Sequence, residues 1–289
     1  MSDFSTQWLK VSEPFPHVFH VELARSPVNA FSSDYWRQYG KLFDALREAH
    51  ESGTDIRAVV ISSAFPKLFT AGLDLTSASS LGSSAADTSQ DAARASLSMR
   101  GVLLEFQHAI GAPERCAFPV IVAVHGPVVG LGVDLISACD IRYAASNAAF
   151  SIKEVDIGLA PDVGTLAYIT KITSNMSLAR EFTYTGRFFS SAEAEKLGLV
   201  SKVVEGGRDE VVKAALELGK VIASKSPVAV AGAKHLITHS RDHTVAENLL
   251  YTGAWNGAAL MTNDILENLR ATKTKGVPKF APLGIKSKL

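Results

Sequence analysis

The chain has 289 residues, and its 29 Lys and Arg balance 29 Asp and Glu, so the formal net charge is zero. Hydrophobic residues make up 47% and charged residues 20%, which excludes a disordered chain, because disorder requires low hydrophobicity and high net charge. The charge balance also argues against a nucleic-acid-binding protein, and no apolar run approaches the roughly 20 residues that cross a bilayer. We therefore expect a compact, soluble protein of one large domain or a domain plus an appendage.

Buried strands rich in Val, Ile and Phe alternate with helices in the first half of the chain. The strands are predicted at residues 19–23, 58–61, 119–124 and 141–144. Between the first two, apolar residues at helical spacing predict a helix with Ser33 as its N-cap and Gly53 at its end. A second helix is predicted at residues 92–110, after a Ser- and Ala-rich stretch at 76–89 that is typical of a mobile surface loop. Such alternation predicts an α/β fold with crossover connections.

The last part of the chain contains helical patterns only. Helices are predicted at residues 211–223, 227–238, 245–261 and 264–271. Pro227 suits the first turn of the second of them, because the missing amide hydrogen has no partner there in any case. Helices without strands indicate a second layer, most simply a C-terminal helical subdomain that packs on a neighbour.

The two termini carry different signals. The C-terminal tripeptide Ser287-Lys288-Leu289 matches the peroxisomal address that an import receptor reads, whereas residues 1–13 have neither an apolar signal region nor an Arg-rich presequence pattern. We therefore expect the peroxisome as the location and its import receptor as a partner. Cys116 and Cys139 cannot form a disulfide framework, and no Cys/His cluster has the spacing of a metal site.

Two glycine-containing turns follow predicted strands. In the first, Gly72 allows a sharp turn that points the Leu73 N–H into a cavity, although such turns are common. In the second, the run from His125 to Leu135 leads through glycines into a helix near Gly132, whose free N–H groups favour a developing negative charge. Its spacing fits neither a dinucleotide-binding nor a phosphate-binding loop. His125 itself suits a turn residue better than a catalytic base.

Four acidic residues lie in or beside otherwise apolar segments: Asp134, Glu154, Asp156 and Asp162. Because Asp and Glu are seldom buried without a partner, two interpretations arise. In the first they cap helices and form ion pairs, and Asp162 would cap a helix at residues 163–171. In the second they are carboxylates whose pKa values are shifted by their environment, with one acting as a base and another as an acid.

Together these segments resemble the enoyl-CoA hydratase/isomerase (crotonase) superfamily, and within it the Δ3,5-Δ2,4-dienoyl-CoA isomerases. The resemblance rests on AGLDL (71–75), GVDLISACDIRYA (132–144), KEVDIGLAPDVGTL (153–166), and Ala192-Glu193-Ala194 before Leu197-Gly198-Leu199-Val200. It implies a crotonase-like α/β spiral of ββα units at residues 1–205 with the active site. Residues 206–289 would then form a helical trimerisation region and targeting tail, in a homotrimer or homohexamer.

The resemblance also implies roles for single residues. The N–H groups of Leu73 and Leu131 would form an oxyanion hole for an acyl-CoA thioester, and the position of Leu131, usually glycine, raises the question of its φ angle. The catalytic carboxylates would be Glu154 at C2, Asp162 at C6 and Asp134 as an auxiliary acid, with the reverse assignment of the first two open. CoA would contact Ala71, Gly72, Leu75 and Gly130, with Lys67 or one of the tail lysines Lys273, Lys275 and Lys279 on its phosphate.

The implied activity is the movement of the double bonds of 3,5-dienoyl-CoA to 2,4-dienoyl-CoA in fatty-acid β-oxidation, without a metal or a cofactor besides the acyl-CoA substrate. The alternatives are a 2-enoyl-CoA hydratase or a Δ3-Δ2-enoyl-CoA isomerase in the same superfamily. A non-catalytic RNA-binding or scaffold relative is more remote, because three carboxylates are retained and the net charge is zero.

Overall fold

The computed structural model describes residues 4–76 and 91–284. The strands are β1 (Leu9–Phe15), β2 (Val18–Leu23), β3 (Ala58–Ser63), β4 (Val120–Val124), β5 (Pro127–Val129), β6 (Ile141–Ala145), β7 (Ala149–Ser151), β8 (Phe189–Ser190) and β9 (Lys202–Val204). The helices are α1 (Ser33–Glu51), α2 (Ala92–Ile110), α3 (Leu131–Ser137), α4 (Thr165–Ile172), α5 (Met176–Thr185), α6 (Ser191–Leu197), α7 (Arg208–Ala223), α8 (Pro227–Ser240), α9 (Val245–Ala259) and α10 (Asp264–Thr274). Short 3-10 helices span Ala112–Arg115 and Glu154–Ile157.

The strands form two sheets, and the chain passes from one to the other. The larger has the order β1-β2-β3-β4-β6-β9 and is parallel except for the β1–β2 pair, whereas the smaller has the order β5-β7-β8. After β4 the chain turns at Gly126, where φ is +57° and a Cβ atom would lie 2.2 Å from the Lys67 carbonyl oxygen. Only glycine fits at this turn. From there the chain continues through β5 into α3. The chain passes in the same way from β6 in the larger sheet to β7 in the smaller, so the strands follow a ββα spiral.

Both faces of the larger sheet are buried. One face packs on α1 through the aromatic residues Tyr35, Tyr39 and Phe43, in a cluster that α2 joins through Phe106, and the opposite face packs on α7. Strands covered on both sides read as continuous hydrophobic runs, which is why residues 58–61 and 120–124 carry no polar alternation. The four strands predicted from the sequence are confirmed.

The predicted helices are confirmed with adjusted ends. For α1, the N-cap is Ser32 and not Ser33, because Ser32 has an extended backbone and its side chain accepts the Tyr35 N–H at 3.4 Å. Gly53 follows the helix with a φ of +97°, a backbone conformation that favours glycine and ends a helix. This is the role predicted for it. Apart from Thr76, the loop predicted at 76–89 lies outside the described residues.

The C-terminal helices differ in their packing. Helix α7 covers the larger sheet, whereas α8 and α9 pack on each other, with the rings of His235 and Trp255 4.1 Å apart. Lys234 anchors α8 to the core, because its buried Nζ donates to the Pro113 and Phe118 carbonyl oxygens and pairs with Asp140 at 2.8 Å. The division at 205/206 stays a prediction.

In contrast to α7, helix α9 has no buried residue, and apolar side chains on it and on α10 are exposed. Within the described ranges, no helix is both long and apolar enough to cross a membrane.

Candidate active site

An apolar cavity of about 210 Å³ lies between α2, the turn at residues 71–75, the β5–α3 turn and the 3-10 helix Glu154–Ile157. Its wall includes the apolar side chains of Leu73, Leu75, Met99, Val102, Leu103, Phe106, Leu131, Ile157, Leu159 and Val163. Three carboxylates also line it: those of Asp134, Glu154 and Asp162. A cavity with apolar walls and few converging polar groups is typical of a site for a small molecule.

The backbone N–H groups of Leu73 and Leu131 belong to two turns that both line the cavity. Gly72 has a φ of +88°, and a Cβ atom on it would lie 2.6 Å from the Val129 oxygen and 3.6 Å from the Leu131 nitrogen, so the two turns are in direct contact. Leu131 is the first residue of α3, and neither its N–H nor that of Leu73 has a hydrogen-bond acceptor within the described part of the chain. The left-handed φ of +50° falls on Gly130, which removes the strain considered for Leu131.

Asp134 lies in α3, and only 1% of its surface is exposed. Its Oδ1 accepts the N–H of Thr165, the first residue of α4, at 2.6 Å. The alternative interpretation, in which Asp162 caps this helix, is therefore excluded: Gly164 is the N-cap, it supplies no side-chain hydrogen bond, and Asp134 reaches the free amide from another helix. Burial raises the pKa of Asp134 to about 6, because the ionised form is poorly solvated.

Glu154 is the first residue of the 3-10 helix that follows β7 in the chain. Its Oε1 is held close to Gly130, where a Cβ atom would lie 3.1 Å from it, and its buried Oε2 has no hydrogen-bond partner within the described residues. Burial and then the negative charge of Asp134 raise the pKa of Glu154 to about 7. A carboxyl group with such a pKa gains and loses a proton near neutral pH.

Asp162 also lines the cavity and is the most exposed of the three carboxylates. The Gln107 side chain donates to its backbone oxygen at 2.6 Å, so its position is tied to α2. Partial burial raises the pKa of its carboxyl group. The fourth acidic residue, Asp156, does not line the cavity and pairs with Lys153 on the surface.

The arrangement can hold a developing negative oxygen with main-chain amides and move protons with carboxyl groups. It thus combines the two elements that proton abstraction next to a carbonyl requires.

The family model described as Enoyl-CoA hydratase/isomerase matches residues 16–280. The chain belongs to the enoyl-CoA hydratase/isomerase family. A human relative named mitochondrial Delta(3,5)-Delta(2,4)-dienoyl-CoA isomerase is 43% identical over 272 residues, which are 93% of this chain and 80% of the relative. An Arabidopsis thaliana relative named peroxisomal Delta(3,5)-Delta(2,4)-dienoyl-CoA isomerase is 40% identical over 267 residues, with 92% of this chain and 93% of the relative covered.

The fold is also that of solved members of the family. The crystal structure of an enoyl-CoA hydratase from Bacillus anthracis superposes with a TM-score of 0.81 at 26% identity, covering 96% of this chain and all of that chain. The predicted crotonase-like spiral with C-terminal helices is therefore confirmed.

Within this enoyl-CoA hydratase/isomerase fold, the residues expected to contact CoA divide into two groups. Ala71, Gly72, Leu75 and Gly130 line the cavity, whereas Lys67 does not: its side chain is exposed, and its carbonyl oxygen packs on Gly126. The tail lysines at 273, 275 and 279 are exposed on or after α10 and do not line the cavity either.

Several site residues were missed from the sequence. Met99, Val102, Leu103 and Phe106 of α2 form one wall, and their spacing of three and four is the helical periodicity that could have identified them. Lys153 also lines the cavity. No local pattern indicates Thr165 as the partner of Asp134, because 31 residues separate them.

The raised pKa of Asp134 predicts that its ionisation destabilises the fold. Well below its ordinary pKa of 3.8 the group is protonated in both the folded and the unfolded state, and the destabilisation grows from there until it is complete above a pH of about 6. Asp134→Asn keeps an oxygen acceptor for the Thr165 N–H but cannot ionise. We therefore expect the melting temperature of this variant, relative to the parent, to be several degrees higher at pH 8 than at pH 4.

Thermal unfolding at both pH values measures this difference, with Asp209→Asn, a change at an exposed side chain, as the control. An equal difference in melting temperature between Asp134→Asn and the parent at pH 4 and pH 8 would contradict the explanation by a buried charge.

Proposed function

We propose that this protein isomerises 3,5-dienoyl-CoA to 2,4-dienoyl-CoA in fatty-acid β-oxidation. The observation that carries the proposal is the convergence of two free backbone N–H groups and three carboxyl groups with raised pKa values on one apolar cavity. The names of the human and Arabidopsis relatives, each at least 40% identical over nine-tenths of this chain, support it.

The reaction moves one proton off the substrate and places one on it. The C2–H bond breaks, the electron pair shifts along the conjugated system, and a C6–H bond forms, so that the double bonds move from positions 3 and 5 to 2 and 4. The intermediate is an enolate whose thioester oxygen carries negative charge. In our proposal the N–H groups of Leu73 and Leu131 bind this oxygen, and one such donor contributes about 2.7–4 kcal/mol in other enzymes.

Two carboxyl groups suit this reaction because C2 and C6 lie about 5–6 Å apart along an extended chain, four bonds from each other. We assign the C2 proton to Glu154. Its pKa of about 7 makes it a competent base at neutral pH, and its Oε2 has no other hydrogen-bond partner among the described residues.

Asp162 would supply the proton at C6. It is the most exposed of the three carboxyl groups, and a bound acyl chain would displace water from it and raise its pKa further, which favours the protonated form that an acid requires. Asp134, whose charge raises the pKa of Glu154, would tune the pair without touching the moving protons. The proposed steps use no metal ion and no cofactor besides the acyl-CoA.

The apolar wall residues from α2 suit the acyl chain, and the turn at residues 71–75 would contact CoA. For the CoA phosphate, exposed lysines such as Lys67 and Lys279 remain the proposed partners.

We further propose a homotrimer or homohexamer assembled through the C-terminal helices. Leu249 and Leu250 of α9, Met261 in the connection between α9 and α10, and Leu266 of α10 are all more than 60% exposed in the single chain. A monomer rarely exposes so many neighbouring apolar side chains. The peroxisomal location stays a prediction, since the Arabidopsis relative is named peroxisomal and the human relative mitochondrial. The tripeptide at 287–289 lies outside the described residues.

Replacing Asp162 with Asn should remove the acid at C6. We expect the turnover number for 3,5-dienoyl-CoA to fall by about 100-fold or more, as is usual for the loss of a general acid, while acyl-CoA affinity changes little. The appearance of the conjugated 2,4-dienoyl-CoA absorbance measures turnover, and Asp209→Asn is the control.

Turnover within about threefold of the parent would show that Asp162 is not this acid. Hydration of 2-enoyl-CoA is assayed in the same preparations, and a parent protein that hydrates but does not isomerise would support the hydratase alternative instead.

Replacing Leu131 with Pro should delete one oxyanion donor. Proline is tolerated at the first position of a helix, which Leu131 occupies, so the backbone can be retained while the N–H is lost. We expect a loss of about 10²–10³ in the turnover number. Leu131→Ala, which keeps the N–H and shortens the side chain, is the matched control; equal activity of the two variants would contradict this half of the oxyanion hole.

Replacing Leu250 with Glu should weaken the proposed assembly, because Leu250 is 79% exposed in the single chain and would be buried between subunits. Sedimentation velocity should show a trimer or hexamer for the parent and smaller species for the variant. Lys213→Glu, which adds negative charge on the exposed side of α7, should leave the mass unchanged. A parent that sediments as a monomer would refute the assembly.

A further inference from the structure

The carbonyl oxygen of Gly186, just after α5, accepts hydrogen bonds from two side chains. The Ser151 hydroxyl donates to it at 2.7 Å and the Lys153 ammonium at 3.2 Å. Gly186 has a φ of +58°, a left-handed backbone that turns the chain at the helix end. A cation is favoured at this end of a helix, because the last carbonyl groups carry partial negative charge. Both donors come from the segment that leads into Glu154.

Ser151 connects this carbonyl group to the proposed oxyanion hole. It is fully buried at the end of β7, and its own backbone oxygen accepts the Gly130 N–H at 2.8 Å. Gly130 directly precedes Leu131, whose N–H is the proposed donor. One residue therefore binds the turn before Leu131 through its main chain and the end of α5 through its side chain.

Lys153 connects the same carbonyl group to the turn that carries Glu154. Its Nζ lies 2.5 Å from Asp156 Oδ2 and is 5.7 Å from the centre of the Phe188 ring. The turn also packs closely on Gly186, where a Cβ atom would lie 3.0 Å from Asp156 Oδ1 and 3.2 Å from Val155 Cγ2.

The ammonium group of Lys153 contacts this turn and the end of α5: its described hydrogen-bond and ion-pair partners are the Gly186 carbonyl oxygen and the Asp156 carboxylate. Burial and the charges of Asp134 and Asp162 raise the pKa of Glu154, whereas backbone hydrogen bonds, that of Lys153 among them, lower it. The side-chain contacts of Lys153 therefore suit the holding of the turn.

We propose that Ser151 and Lys153 are positioning residues. By donating to the same Gly186 carbonyl oxygen, they fix the position of the Glu154 turn relative to the Leu131 amide. This inference rests on the proposed function, in which Glu154 and the Leu131 N–H act on the same substrate. The 3-10 helix Glu154–Ile157 is a single short turn with few hydrogen bonds of its own, so its orientation depends on such external contacts. A displacement of about 1 Å between reacting groups can cost about 100-fold in rate.

The test compares Lys153→Met with Lys153→Arg and with a matched control, Lys171→Met. Lys171 also donates to a backbone oxygen, that of Arg241 at 2.7 Å, and pairs with Asp242 at 3.0 Å. Its side chain is 42% exposed, against 40% for Lys153, but it lies at the far end of α4 from the cavity. For the hydroxyl group, Ser151→Ala is compared with Ser191→Ala, since Ser191 is also buried and donates to a backbone oxygen.

Two quantities are measured on each full-length variant: kcat and KM for 3,5-dienoyl-CoA, and amide hydrogen exchange of the peptide covering residues 154–159. For Lys153→Met we expect kcat to fall about tenfold with KM within about twofold, and faster exchange in this peptide. Ser151→Ala should likewise lower kcat and make exchange in this peptide faster. Lys153→Arg should recover kcat to within about threefold of the parent, and both control variants should match the parent.

Unchanged exchange in residues 154–159 of Lys153→Met and Ser151→Ala would overturn the inference, and so would a loss of kcat that the control variants share. If the parent itself does not isomerise the substrate, the proposed function fails, and the exchange measurement alone then decides whether these two residues hold the turn.

Discussion

The contact between Gly72 and the backbone of Val129 and Leu131 determines how the site is built. It brings the turn after β3 against the turn after β5, and no side chain larger than hydrogen fits between them. Because the contact involves main-chain atoms, the spacing of the Leu73 and Leu131 amides is set by the backbone and is insensitive to the side chains at those positions. This explains how leucine can occupy the position of the second donor: the left-handed conformation lies on Gly130, one residue earlier.

The buried carboxyl groups that line the cavity reduce the stability of the fold. Asp134 and Glu154 are buried away from water, and their negative charges repel each other. Few hydrogen-bond donors stabilise their ionised forms. The fold offsets part of this cost with the Thr165 N–H at the start of α4, which binds the Asp134 carboxylate. Burial brings the pKa of Glu154 to about 7, so that this carboxyl group can accept and release a proton near neutral pH, and the same burial that weakens the fold thereby prepares the proposed proton transfer.

The elements around the cavity are tied to one another by hydrogen bonds to main-chain oxygens. Gln107 of α2 binds Asp162, Ser151 and Lys153 bind Gly186, and Lys171 of α4 binds Arg241 at the end of α8. These bonds join α2 to the segment that carries Asp162, the end of α5 to the segment that carries Glu154, and the end of α8 to α4.

Local sequence patterns determined much of this protein: four strands of the larger sheet, most of the longer helices, the glycine turns at 72 and 130, and the presence of three acidic residues in apolar segments. Each depends on residues close together in the chain, through periodicity or backbone preference. Tertiary structure alone decided that Asp134 and not Asp162 binds the start of α4, that Lys153 and not Lys67 lines the cavity, and that Gly186 accepts two hydrogen bonds. These outcomes depend on which distant segments pack together, and a buried polar group takes whichever partner that packing brings within reach.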